Sequence, residues 1–365
     1  MQLMSAKGMV IKMQKEIFTR MGDGQLIKMS SAQIKEDIAS GTFDAADRGK
    51  IPELTSDDQE QLYEIIADEN RVVSVRHGEE VVLTDDVSYI RLNQDEGASG
   101  GIGIPISPML SMLVHERAFA QDSAVMGATG FTGKAEFNWK LQEIETTNLL
   151  LTVPMLYVSG PNLITFYKPE GRFDNPTDLL PQGKIKEARQ VQEEAAEASI
   201  EDLVWLSRHL AEVGIDCLNL DTIAAHGDTD FFVALTAVQK LKKLVPEMAI
   251  EMGMASEFVM GMHGQITFNG KRLAGMYPHE QLKIAEEAGV DIFGPVINVN
   301  RSRSFPWNLS RVVTFIKYTS EVSNIPIHPN VGVAVCGVPM CSVPPIDCVS
   351  RVAKALAQIG KADGL

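Results

Sequence analysis

The sequence predicts an α/β fold, a (β/α)8 TIM-type barrel incomplete at its C-terminus, with an N-terminal appendage of hairpins and helices. Three observations carry that expectation. From about residue 148 onward, short apolar runs alternate with longer amphipathic stretches, and successive runs begin about 33 to 42 residues apart, the rhythm of βα units. The apolar runs carry few polar positions, as expected of parallel strands covered on both faces. No Gly-rich turn follows the first of them, which weakens a doubly wound dinucleotide-binding alternative.

The elements follow in order. Met1, Met4, Met9 and Met13 crowd the start, so residues 1–12 read as an upstream extension. Two short runs between Phe18 and Met29 flank Gly22-Asp23-Gly24, a hairpin signal. Ser30 or Ser31 then opens a short helix from Ala32 to Ala39 that should end at Gly41. Thr55 to Asp58 caps a second helix through Ile65 and Ile66. Val72–Val75 and Val81–Leu83 read as another hairpin around His77-Gly78. These first hundred residues lack the βα rhythm and form the expected appendage; 101–365 form the expected barrel. Gly97 to Pro105 is Gly-rich, but neither a P-loop nor G-x-G-x-x-G is met, so it reads as a flexible loop. Met109–Ala120, with His115, reads as a helix.

Within the repeat, strands are expected at Asn148–Val158, Ile215–Asp221, Met248–Met254, Val290–Val299 and Ile325–His328. Helices are expected at Lys184–Val213, Asp230–Leu244, Glu280–Ala288 and Trp307–Ser320, and a hairpin at Asn269-Gly270. After Pro344-Pro345, Ile346, Val349, Val352, Leu356 and Ile359 form the stripe of a last helix. Ala362 to Leu365 then reads as the lead-in to a strand.

Composition excludes several classes. A net charge of −15 leaves nucleic acid no electrostatic footprint. Four scattered cysteines without C-x-x-C spacing argue against a disulfide scaffold or a structural zinc site. No 18-residue apolar span or signal peptide is present, so a cytoplasmic location is expected.

In a barrel, chemistry collects where strands end at the C-terminal face. Tyr157 ends the first strand, and Asp221 and Thr222 the second, with His226 and Asp228 beyond. Glu251 lies inside the third, before Ser256, Glu257 and His263. Asn298, Asn300 and Arg301 end the fourth, and His328 the fifth. Glu251 is the strongest candidate, because a carboxylate within an apolar strand costs several kcal/mol unless paired or protonated; a structural carboxylate bonded to a neighbour is the competing account. His115 and His209 read as structural, and His226 and His263 as loop residues. No H-x-x-x-H or H-x-H spacing marks a metal site.

Several stretches occur together: Arg20-Met21-Gly22-Asp23-Gly24, His115-Glu116-Arg117-Ala118-Phe119, Gly261-Met262-His263-Gly264, Phe293-Gly294-Pro295, Trp307-Asn308-Leu309 and Pro344-Pro345-Ile346-Asp347. In order and spacing, from about Met13 to Leu365, the chain resembles the dimethylamine–corrinoid protein methyltransferases. The resemblance implies methyl transfer from dimethylamine to the Co(I) of a separate corrinoid protein, releasing monomethylamine. It implies no corrinoid bound by this chain, a corrinoid-protein partner, a homo-oligomer, and a pyrrolysine directly after Leu365, whose imine the amine would add to. Read as a stop, the pyrrolysine codon would leave the chain truncated and inactive alone, with open barrel edges. Glu251, Asp221, Asn298, Tyr157 and His328 are assigned roles from strand-end position: the carboxylates to protonate the imine or hold the ammonium, Asn298 or Tyr157 to hydrogen-bond it. The rival readings are a complete barrel lyase or decarboxylase using Glu251, His328 and Asn298, and a non-catalytic module that binds the corrinoid protein.

Overall fold

The computed structural model describes residues 16–85, 88–91, 103–106, 152–154, 156–159, 163–215, 217–261, 264–341 and 344–365. Its first two strands, β1 (Glu16–Arg20) and β2 (Leu26–Ser30), form the expected antiparallel hairpin. Ser30 caps α1 through a reciprocal box: its Oγ accepts from the Gln33 N–H at 3.3 Å, and Gln33 Oε1 accepts from the Ser30 N–H at 2.8 Å. That helix runs Ser31–Gly49, well past the stop expected at Gly41. Gly41 is buried, and a Cβ there would clash with the Trp307 carbonyl. The glycine is a point of close helix approach, not a terminator. Thr55 caps α2 (Ser56–Ala67) as expected, boxed by Asp58.

No strand forms at 72–75. Leu83 belongs instead to β3 (Leu83–Asp85), which pairs in parallel with β6 (Thr152–Pro154). Between these in the chain, β4 (Ser88–Arg91) pairs antiparallel with β5 (Gly103–Ile106). The Gly-rich stretch before Gly103, the helix expected at Met109–Ala120 and the boundary expected at residue 100 lie outside the described residues.

The central sheet has four parallel strands in the order β12 (Ile292–Gly294), β9 (Ala249–Met254), β8 (Cys217–Ile223) and β7 (Leu156–Ser159). The intervening helices are α3 (Ile185–Glu212), α4 (Asp228–Leu244) and α5 (Pro278–Ala288). They are followed by α6 (Phe305–Val322) and α7 (Ile346–Gln358). Asn269-Gly270 makes the expected turn between β10 (Thr267–Phe268) and β11 (Lys271–Arg272), both central residues having positive φ.

The strand expected over Val290–Val299 is only three residues long, because Pro295 has no N–H to continue the ladder. The segment at Ile325–His328 is reduced to one parallel bridge, Phe293 to Ile327, between Pro326 and Pro329. The Phe293 N–H donates to Pro326 O at 3.0 Å, and the His328 N–H to Phe293 O at 2.8 Å. At the end of the chain, the Asp363 N–H reaches Ile327 O at 2.9 Å, and the Leu365 N–H reaches Val82 O at 2.9 Å. Gly364 thereby bridges Val82 in parallel. The last residues thus sit between two neighbours. The fold is mixed α/β around a parallel sheet. A closed sheet, and with it a full (β/α)8 barrel, is not formed by the described residues, where ladders give way to single bridges beyond β12.

One expectation about the strands fails. They are not apolar on both faces. Leu218, Leu220, Ile250, Met252 and Phe293 share a buried core cluster with Phe231, Leu235 and Val238 of α4. The alternate positions carry Asn219, Asp221 and Glu251, which are buried but polar. Among the described residues no helix is long and apolar enough to cross a membrane.

Candidate active site

Strand register assembles the polar face. Tyr157 pairs with Asn219, Asn219 with Glu251, and Glu251 with Ile292, so one row crosses four strands. A second row, two residues on, begins with Ser159 and Asp221. Paired residues on parallel neighbours share a face, and the strands stand about 4.8 Å apart. The side chains of Asn219, Asp221 and Glu251 therefore share one face of the sheet.

Glu251 is 3% exposed, and its Oε1 lies 2.7 Å from Nδ1 of His328, itself buried. His328 arrives from the short segment beyond β12, 77 residues away in sequence. With the carboxylate accepting, the ring nitrogen donates. The other oxygen, Oε2, has no hydrogen-bond partner among the described residues. Such an oxygen is expensive to bury empty, by about 1–3 kcal/mol or more for a charged group. Only one of the two oxygens is satisfied among the described residues.

Two glycines let neighbouring groups approach this face closely. A Cβ on Gly253 would stand 2.5 Å from Asp221 Oδ1 and 3.4 Å from Asn219 Oδ1, so both oxygens are turned toward the space that residue leaves. A Cβ on Gly364 would come 3.1 Å from Cδ2 of His328, which sets the last residues of the chain against the imidazole. The end of β8 is irregular: its register with β9 shifts between Leu220 and Ile223, and Thr222 and Ala224 adopt φ of 59° and 65°. Left-handed backbone at a β-branched residue is strained, and such strain clusters at functional sites.

The expected residues separate into groups. Glu251 and His328 are in contact, and Asp221 lies on the same face, beside Gly253. Tyr157 is in register with Asn219 by its backbone; its side chain lies outside the described atoms. Asn298 serves a neighbouring network: its Oδ1 accepts from the Glu257 N–H at 3.1 Å. Glu257 in turn is clamped by Arg311 through both guanidinium nitrogens, one contact at 2.6 Å, while Arg311 Nε donates to Asp44 at 2.6 Å. Burial opposes the charge on Arg311, yet Glu257 and Asp44 hold its pKa above the usual value. His226 pairs with the buried Asp230, Nδ1 to Oδ2 at 3.0 Å, in the loop after β8. The hydrogen bond raises the imidazole pKa, and burial raises that of Asp230. His209 sits half-buried on α3, Nδ1 2.7 Å from Trp205 O. His115 and His263 lie outside the described residues. Among the described residues no three His, Cys, Asp or Glu side chains are grouped to hold a metal.

Asn219 and Arg311 were not among the expected residues. Asn219 had a signal: in Cys217-Leu218-Asn219-Leu220-Asp221 the apolar and polar positions alternate with a period of two, the mark of a strand with one polar face. Arg311 had none, since its partners are distant in sequence.

The description of one protein family, dimethylamine methyltransferase, matches residues 15–365. No solved structure matches the chain. The match spans every element described above, including the Glu251–His328 pair and the polar rows beside it. The chain belongs to the dimethylamine methyltransferase family.

Proposed function

We propose that the polar face around Glu251 binds dimethylamine and presents one methyl group to the cobalt of a corrinoid carried by a partner protein, with monomethylamine as the product. The carrying observation is the half-satisfied carboxylate: Glu251 Oε1 is fixed by His328 and Oε2 is left to accept an N–H. His328 orients the carboxylate by donating from Nδ1. Glu251 holds the cationic nitrogen, and Asp221 adds negative charge beside it, stabilisation that a buried face amplifies. A corrinoid docked by its own protein would accept the methyl group. In this reading the chain itself binds no corrinoid. A homo-oligomer and a cytoplasmic location belong to the same proposal.

Two finer points belong with it. The parallel pairings from β7 to β12, on to Ile327, Gly364, Val82 and β3, and back to β6 favour a ring of strands around this face. A pyrrolysine joined to Leu365 belongs to the same reading; the Gly364 backbone closely approaches the His328 ring.

The test combines the protein purified from methylamine-grown cells, corrinoid protein reduced to Co(I), and dimethylamine, with methyl-cobalt formation followed by absorbance and monomethylamine by chromatography; the chain ending at Leu365 is expected to be inactive alone. Methyl-cobalt and monomethylamine in equal amounts support the reading. Turnover of a small metabolite without corrinoid protein would overturn it in favour of a lyase. Intact mass of the product made in methylamine-grown cells decides whether pyrrolysine follows Leu365.

A further inference from the structure

Two buried oxygens on directly paired residues have no donor among the described residues: Asn219 Oδ1 on β8 and Glu251 Oε2 on β9. Asn219 is 6% exposed and Glu251 3%. Asn219 Oδ1 lies over Gly253, in the recess that its missing side chain leaves and that Asp221 Oδ1 also enters. Asp221, in the same recess, already has an interaction of its own. The face therefore offers two acceptors without a donor among the described residues, one charged and one neutral, on directly paired residues of strands about 4.8 Å apart.

We infer that Asn219 selects the amine by counting its N–H donors. This rests on the dimethylamine reading and names the determinant of its specificity. A secondary ammonium has two N–H groups: Glu251 Oε2 takes one, together with the charge, and Asn219 Oδ1 takes the other. A tertiary ammonium has one N–H and leaves Asn219 buried without a donor. A primary ammonium has three, and strands one of them in the recess. Either mismatch costs affinity by about tenfold or more, the effect of one unmade buried hydrogen bond.

Calorimetric titration of the 365-residue chain with the chlorides of mono-, di- and trimethylammonium reads this directly. Dimethylammonium should bind about tenfold more tightly than trimethylammonium. Asn219→Leu should bring that ratio to within about twofold, with trimethylammonium binding little changed. Asn219→Ala carries the same expectation should the leucine variant fail to fold, and Asn219→Asp, which keeps an acceptor, should keep the preference. A ratio unchanged by the leucine or alanine variant overturns the inference. Equal binding of all three amines by the unaltered chain removes Asn219 as the selector and leaves the amine reading standing. Binding of none overturns both.

Discussion

Replacing Arg311 with methionine isolates the largest buried electrostatic network in the described structure. Arg311 and Glu257 are 6% and 4% exposed, and their contact is bidentate. The guanidinium also lies 5.4 Å from the Phe315 ring centroid and 5.8 Å from that of Trp307. Methionine replaces much of the stem's packing but leaves the Glu257 carboxylate buried without its cation. Removing one partner of such a pair costs about 3–5 kcal/mol, and each lost cation–π contact about 0.5–1 kcal/mol. Recovered apolar packing offsets the smaller of these terms, so the net loss is set by the stranded carboxylate at about 3–5 kcal/mol. Asp44 suffers less, since it keeps Arg48 at 3.1 Å. If the stranded charge is the cause, removing it should repair the damage: Glu257→Met with Arg311→Met should fall within about 1–2 kcal/mol of the unaltered chain. Urea unfolding followed by circular dichroism measures all three variants. A loss below about 1 kcal/mol for Arg311→Met, or a double variant as unstable as the sum of its singles, would refute the account. The effect should also reach the strand ends, because the Glu257 backbone holds Asn298.

Glu251→Gln keeps the volume and the contact with His328 but removes the charge that would hold the ammonium. Methyl-cobalt formation should fall by about a hundredfold or more with the melting temperature nearly unchanged, and full activity would exclude Glu251 from the chemistry. Gly41→Ala should destabilise by about 1–3 kcal/mol although alanine is the better helix former by about 1 kcal/mol. The new Cβ meets the Trp307 carbonyl and lies 3.1 Å from Ser310 Cβ, forcing α1 off α6; a stabilised variant by thermal melt would contradict this. For His226 and Asp230 both pKa shifts are upward, so the folded chain binds more protons than the unfolded one between the two sets of values. Stability contributed by the pair must then fall as pH rises: it is whole below the unfolded values and lost through the raised folded ones. Asp230→Asn should flatten that part of the slope in urea midpoints measured from pH 5 to 9, and an unchanged slope would count against the pairing.

Local elements were legible in the sequence because their causes are local. The Thr55 capping box, the Asn269-Gly270 turn and the stripe of α7 each lie within a few residues of chain, and propensity and periodicity act at that range. So was the cost of burying Glu251, since a carboxylate within an apolar run is costly wherever the run is placed. Gly41 shows the limit of such patterns. A mid-helix glycine reads as a stop until the partner helix that requires it is known, and Trp307 lies 266 positions further along. The contact of Glu251 with His328, the pairing of Asn219 beside Glu251, and the seating of Asp363–Leu365 between Ile327 and Val82 likewise depend on register between strands distant in sequence. Register is decided by which hydrophobic faces can be buried together, and a shift of one residue would turn Asn219, Asp221 and Glu251 into the apolar core. The sequence by itself determined which residues are costly to bury. Only the tertiary structure decided which of them meet.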